Sequence, residues 1–166
     1  MASSMIRPRR ETPMAPEETA ARREDEVQLR DLAFRYARMM DRRQFDLLPR
    51  VFAADGILSG PGYEMEGHDQ LRKGLQSLEQ FSATLHGVLN TYFEIDGDRA
   101  TGEVYCVANH LYEKEGVPFK LDMGIRYEDR YAREAAGWVI ERRVFNMVWE
   151  TDMPMKIEAK GQPNAG

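Results

Sequence analysis

Three histidines and one cysteine are present in this chain of 166 residues, and two of the histidines stand where apolar residues are expected. His86 lies in SATLHGVLN and His110 in VYCVANHLY, runs whose alternation reads as half-buried strand. An imidazole on the inner side of a strand is either a hydrogen-bonded structural group or a working base. Small residues, Gly87 and Ala108, lie beside them. On a curved sheet small residues leave space in which a ligand can meet a histidine. Asp41 is the third unusual residue. In RYARMMDRRQF it closes an apolar helical stripe, on the unfavourable side of the helix dipole. Arg42 and Arg43 follow it and offer a local ion pair. If Asp41 instead turns under the sheet, an imidazole is its natural partner. A carboxylate that accepts one ring N–H fixes the tautomer and makes the other nitrogen more basic. That arrangement is a general base suited to neutral pH. Tyr36 stands on the same stripe, five residues before Asp41 and roughly 140° around a helix. The two converge only if the helix ends or bends near Met40.

Other chemistries find less support. His86, His110 and Asp41 have the composition of a two-histidine, one-carboxylate metal site, but no local spacing motif joins them. There is no P-loop, dinucleotide glycine fingerprint, nucleophile elbow or HExxH helix, so no cofactor is expected. A lone Cys106 in an apolar run reads as a small buried hydrophobe. His68 opens a helix in polar surroundings and reads as structural.

The net charge of −5 does not suit a nucleic-acid partner, which calls for a basic face. No apolar run is long enough to span a bilayer. Arg9 and Arg10 are followed by ETPMAPEETA, which lacks the apolar segment of a secretory leader. Residues 1–16 therefore read as a disordered tail on a cytoplasmic protein.

The elements that must position these side chains follow from periodicity. A long helix is predicted over 17–40, with Val27, Leu29, Leu32, Ala33, Tyr36, Ala37 and Met40 on one stripe. A short helix is predicted over 45–52 despite Pro49, a hairpin about Gly60-Pro61-Gly62, and a third helix over 68–78. Strands are predicted over 84–95, 99–112, 119–133 and 138–149, joined by short turns. Helices segregated to one side of an antiparallel sheet give an α+β fold. The domain is expected over 17–150, with a loose tail over 151–166. Strict alternation puts His86, Val88, Asn90 and Tyr92 on one face. It likewise groups Val104, Cys106, Ala108, His110 and Tyr112, and groups Trp138, Ile140, Arg142, Val144, Asn146 and Val148. The last strand is apolar on both faces, so one face is left for a partner subunit.

Three stretches carry a resemblance: LRDLAFRYARMMDRRQFDLLPRVFAADGIL, TLHGVLNTYFEIDGDRATGEVYCVANHL and MGIRYEDRYAREAAGWVIERRVF. Together they resemble the SnoaL-like family of the nuclear transport factor 2-like superfamily. The resemblance implies a cone-shaped α+β barrel, a strongly curved sheet wrapped on the N-terminal helices around a deep apolar pocket. Members such as scytalone dehydratase, bile acid 7α-dehydratase and hexachlorocyclohexane dehydrochlorinase share an aspartate–histidine dyad, whose places here are Asp41 and His86. Tyr36 matches a tyrosine of the bile acid enzyme and His110 the second pocket histidine of scytalone dehydratase. Asn146 is the counterpart of a pocket asparagine on a late strand. Met40 stands where scytalone dehydratase has a tyrosine, and its other catalytic tyrosine falls near Leu58 or Ser59 here, so that pair is expected to be missing. Met40, Asn146, Val88, Ala108 and Val144 are then the expected substrate contacts. The function implied is that of a cofactor-independent lyase, a dehydratase or a related eliminating or retro-aldol enzyme, acting on a small hydroxylated aromatic or polycyclic substrate. A homodimer or homotrimer is expected. The same fold also serves double-bond isomerases, ligand carriers and the non-catalytic small subunits of ring-hydroxylating dioxygenases.

Overall fold

A computed structural model describes residues 15–155. Residues 1–14 and 156–166, which hold most of the two expected tails, lie outside the described residues.

The chain opens with helix α1, Pro16–Arg42. Pro16 is at the first helical position and Glu17 and Glu18 fill the first turn, where a missing N–H costs nothing and carboxylates suit the dipole. The apolar stripe buries Leu29, Leu32, Ala33, Tyr36, Ala37, Met39 and Met40. The helix stops at Arg43, which takes the left-handed conformation with φ 55°. The segment Phe45–Arg50 is a 3₁₀ turn rather than a helix reaching residue 52. Pro49 cannot donate to the helical ladder, and Phe52 already belongs to strand β1, Phe52–Gly60. The hairpin returns as β2, Tyr63–Glu66, and leads to α2, Gly67–Leu75, and a 3₁₀ turn over Gln76–Gln80.

The long strands are β3, Ala83–Asp96; β4, Arg99–Lys114; β5, Val117–Glu134; and β6, Gly137–Pro154. Strand β6 thus continues past the expected limits of 149 for the strand and 150 for the domain. The sheet runs in the order β2-β1-β6-β5-β4-β3. All neighbours are antiparallel except β1 and β6, which run parallel. The result is the expected α+β architecture, but the sheet is open, with β2 and β3 as its edges.

Bulges change which side chains face inward. Val88 pairs with Cys106 but Thr91 with Val104, so β3 carries one extra residue between them. Thr84, His86 and Val88 face in before this bulge, and the partly buried Phe93 and Ile95 after it. Tyr92, expected on the His86 face, is 62% exposed. A second bulge lies where Tyr131 pairs with Ile140 but Arg130 with Arg142. After it Arg143, not Arg142, is buried. One extra residue flips every later side chain to the other face.

The core lies between the buried side of α1 and the inner face of β4, β5 and β6, where Val104, Cys106, Ile125, Tyr127 and Ile140 meet Leu29, Leu32 and Met39. Burying each such aliphatic side chain contributes roughly 2 kcal/mol. That packing makes the end of α1 a fixed platform beneath β3.

Candidate active site

Asp41 is in the last turn of α1, and His86 is on β3 just before its bulge. The structure brings them together. The carboxylate Oδ1 lies 2.7 Å from His86 Nδ1, and Oδ2 accepts the His86 backbone N–H at 3.0 Å. Thr84, two residues earlier on the same strand face, donates its hydroxyl to Oδ1 at 3.0 Å. Burial pushes the pKa of the Asp41 carboxyl up, but the His86 ring, the His86 amide and Thr84 outweigh it and hold the pKa below the ordinary carboxylate value. Asp41 is therefore an anion that can only accept. Nδ1 must carry the proton, which leaves Nε2 as the basic nitrogen of the ring.

The predicted local pairing of Asp41 with Arg42 or Arg43 does not occur. Arg42 is exposed, and Arg43 turns its guanidinium to the Met40 carbonyl at 2.6 Å and to Thr84 Oγ1 at 2.7 Å.

His86 separates two hollows. On one side is a cavity of about 380 Å³ lined by Tyr36, Met40, Tyr63, His110, Tyr127 and Phe145, among others. On the other is a hollow of about 260 Å³, lined by Phe34, Arg38, Asp41 and Val88. Tyr36 and Asp41 thus border different spaces, and the imidazole between them borders both. The larger space is the size of a small-ligand site. No Lys or Arg lines it and its walls are mostly apolar. The two histidine rings stand edge to face at 5.7 Å. Burial, followed by the nearby His86, pulls the His110 pKa down to about 4. His110 is therefore neutral at neutral pH, and its buried Nδ1 has no partner among the described residues.

Of the expected site residues, Tyr36, Met40, His86 and His110 line the main cavity. Ala108 is fully buried directly across the ladder from His86 and packs in the core instead. Val88 lines only the smaller hollow. Val144 and Asn146 do not reach the cavity. The β6 bulge has turned them to the other face, where Val144 borders a separate groove with Tyr92, Glu103 and Arg142. Phe145 takes the inward place.

Sequence reasoning missed three groups. Tyr63 reaches the cavity from β2, its ring lying 2.7 Å from where a β-carbon on Gly60 would stand. A tyrosine is therefore supplied although none occupies position 58 or 59. Tyr127 reaches the cavity from β5. Behind it Arg143 is fully buried, with Nε 2.8 Å from Asp129 Oδ1 and Nη2 2.6 Å from Oδ2. Its guanidinium lies 4.2 Å from the Tyr36 ring centre and 4.3 Å from that of Tyr127. Burial raises the Tyr36 pKa, and the Arg143 charge works against that rise. Asp129 was the available signal, because a carboxylate between inward Tyr127 and Tyr131 demands a buried cation. Among the described residues no three His, Cys, Asp or Glu side chains are arranged to hold a metal ion.

An open curved sheet laid over a long helix is the fold of a nuclear transport factor 2-like protein. Within that class, residues 21–144 match the SnoaL-like domain, and the chain belongs to the SnoaL-like family. An uncharacterised protein of Mycobacterium tuberculosis is 30% identical over 128 residues, 72% of this chain and 83% of that protein. A candidate scytalone dehydratase from Novosphingobium aromaticivorans superposes with a TM-score of 0.73 at 20% identity, covering 87% of this chain and 99% of its own. The hexachlorocyclohexane dehydrochlorinase of Novosphingobium barchaimii gives 0.72 at 15% identity, covering 87% and 99%. At these identities the two structures speak for the fold. Among the described residues no helix is long and apolar enough to cross a membrane.

Proposed function

We propose that this protein is a cofactor-independent lyase that uses His86 as general base. The observation that carries the reading is the 2.7 Å contact between Asp41 and Nδ1 of His86, whose ring lines a mostly apolar cavity. His86 Nε2 removes a proton from a carbon next to an activating group. The electron pair released from that C–H bond forms the new double bond, and the adjacent carbon–oxygen bond breaks. The proton held on the imidazolium passes to the departing oxygen, which leaves as water. Asp41 stabilises the imidazolium while it exists. Tyr36 donates a hydrogen bond to the oxygen that gains charge. Neutral His110 is a second hydrogen-bonding group at the cavity wall. The fold neighbours include a candidate scytalone dehydratase and a hexachlorocyclohexane dehydrochlorinase, names that denote eliminations, which supports this class of reaction. Retro-aldol cleavage and double-bond migration begin with the same proton removal.

The substrate class proposed is a small hydroxylated aromatic or polycyclic compound. The aromatic and methionine lining supports it, as does the absence of a lining cation for an anionic group. The test is to incubate wild-type and His86→Ala proteins with hydroxylated aromatics and steroids and follow loss of water by mass spectrometry. Turnover by the wild type alone is expected, and equal turnover by both removes the proposal.

One observation favours a second reading. Met147, Val148, Trp149 and Met153 are exposed on β6, as a subunit interface requires. We propose that they join copies of this chain in a homodimer or homotrimer. A non-catalytic subunit of a larger oxygenase has the same need. Size-exclusion chromatography separates the cases: a soluble homo-oligomer supports the enzyme, and aggregation relieved only by a larger partner supports the subunit.

A further inference from the structure

We infer that Arg43 and Thr84 are positioning residues that fix the Asp41 carboxylate and through it aim His86. The inference rests on the reading of His86 as base. Among the described residues only Arg43 and Glu115 are non-glycine residues with positive φ. Glycine ends a helix in this conformation with no steric cost from a side chain. What Arg43 contributes in place of that ease is its guanidinium.

The group reaches three pieces of chain. Nη1 donates to the Met40 carbonyl at 2.6 Å, to Thr84 Oγ1 at 2.7 Å and more loosely to the Asp41 carbonyl at 3.5 Å. Nη2 donates to the carbonyls of Leu78 at 3.0 Å and Phe81 at 3.5 Å. These are the end of α1, the segment entering β3, and β3 itself. They carry Asp41, the cavity wall at Leu78, and His86. One rigid fork of donors therefore locks the pieces that build the site.

The chemistry of the donors sets a direction. Arginine can only donate, and an ionised carboxylate can only accept. Thr84 lies between them with a single hydroxyl hydrogen. Accepting from Arg43 at 2.7 Å commits that hydrogen to Asp41 Oδ1 at 3.0 Å. Oδ1 then holds two donors, Thr84 and the His86 ring, while Oδ2 holds the His86 amide. Both oxygens are pinned and cannot rotate away from the imidazole. The arrangement also keeps a full negative charge for His86. Arg43 meets the backbone carbonyl of Asp41 and the Thr84 hydroxyl, not the carboxylate. A direct arginine–carboxylate fork would have drawn that charge off the ring.

The test needs no substrate. The proton on His86 Nδ1 is read by nuclear magnetic resonance in ¹⁵N-histidine-labelled protein and assigned by its loss in His86→Gln. In the wild type a downfield, slowly exchanging signal is expected. Arg43→Gly relieves the backbone while giving up the guanidinium's hydrogen bonds; it is expected to stay folded, yet to speed exchange of that proton with water at least tenfold. Thr84→Val should do the same, and Thr84→Ser, which keeps the hydroxyl, should restore the wild-type signal. Arg43→Lys, which lacks the fork, should restore it only in part. A wild type without such a proton, or an unchanged signal in both Arg43→Gly and Thr84→Val, overturns the inference. Failure of the base reading is seen separately, as full turnover by His86→Ala with the proton behaviour as expected.

Discussion

Asp41 holds His86 at two points of one residue, the ring through Oδ1 at 2.7 Å and the backbone amide through Oδ2 at 3.0 Å. A single carboxylate so placed sets both where the strand sits and how the ring turns. Asparagine has nearly the same shape but only one accepting atom. Its amide nitrogen must face either the His86 amide or the protonated Nδ1, donor against donor. Asp41→Asn is therefore expected to let the ring change tautomer and present a proton to the cavity. Turnover should fall by roughly 10²- to 10⁴-fold, with ligand affinity within about twofold of wild type. Steady-state kcat beside a direct binding measurement checks both parts. A loss in binding that accounts for the whole effect would make Asp41 a structural residue.

His110 makes stability depend on pH in a definite window. Its folded pKa is about 4, against 6.5 for an ordinary histidine. The unfolded chain thus takes up a proton first as pH falls. The contribution is fully present above pH 6.5 and is lost as pH falls toward 4, amounting to on the order of 3 kcal/mol. Asp41, held below the ordinary carboxylate value of 3.8, loses its contribution only at lower pH as its folded form is titrated. His110→Gln is expected to flatten the stability curve between pH 6.5 and about 4. Urea unfolding of both proteins at pH 7.5 and 4.5 measures it, and parallel curves would show that His110 is not buried neutral.

The parts of the fold set by local pattern were legible in the sequence. The apolar stripe of α1, the turn at Gly60-Pro61-Gly62 and the alternation around His86 and His110 each express a period that needs no knowledge of neighbours. Asp41 was legible as an oddity, and the resemblance of RYARMMD and TLHGV to the SnoaL-like family joined it to His86. The far half of β6 was not legible. A bulge leaves no mark in composition, so nothing in the alternation that grouped Val144 with Asn146, or in the resemblance that made them substrate contacts, showed that Arg143 and Phe145 hold the inward places. The bulge after Val88 misled in the same way for Tyr92. Arg43 was readable only as a possible partner for Asp41. Its real role depends on Thr84, 41 residues away in sequence, which no local pattern brings near.

Two enlargements distinguish the empty part of the site from its packed floor. Met123 is partly buried and lines the main cavity, where added atoms meet space rather than neighbours. Met123→Trp is expected to leave Tm within a few degrees of wild type while weakening ligand binding at least tenfold. Ala108 has no exposed surface and sits across the ladder from His86. Ala108→Leu must displace packed atoms, at a cost of about 1–3 kcal/mol, and is expected to push the imidazole off Asp41. Thermal unfolding with binding of an aromatic probe by fluorescence separates the two. Similar destabilisation by both substitutions would mean that the cavity is filled by side chains in solution.

The buried pair behind the tyrosines should couple strongly. Arg143 and Asp129 are 0% and 3% exposed, so neither charge can fall back on water when the other is removed. Asp129 also accepts the Tyr131 hydroxyl at 2.6 Å, which an apolar replacement would leave unpaired. Arg143→Met strands a carboxylate, and Asp129→Leu strands a guanidinium between two aromatic rings. Each is expected to cost about 3–5 kcal/mol. The double variant buries no unpaired charge and should cost markedly less than the sum, giving a coupling energy of about 1.5 kcal/mol or more. Arg143→Lys keeps the charge but loses the fork and the flat stacking on Tyr36 and Tyr127, so it should fall between wild type and Arg143→Met. Urea denaturation of the four proteins of the cycle, with Arg143→Lys as a fifth, measures this. Additive losses would show that the two groups reach solvent separately and that Arg143 has no fixed place against the Tyr36 ring.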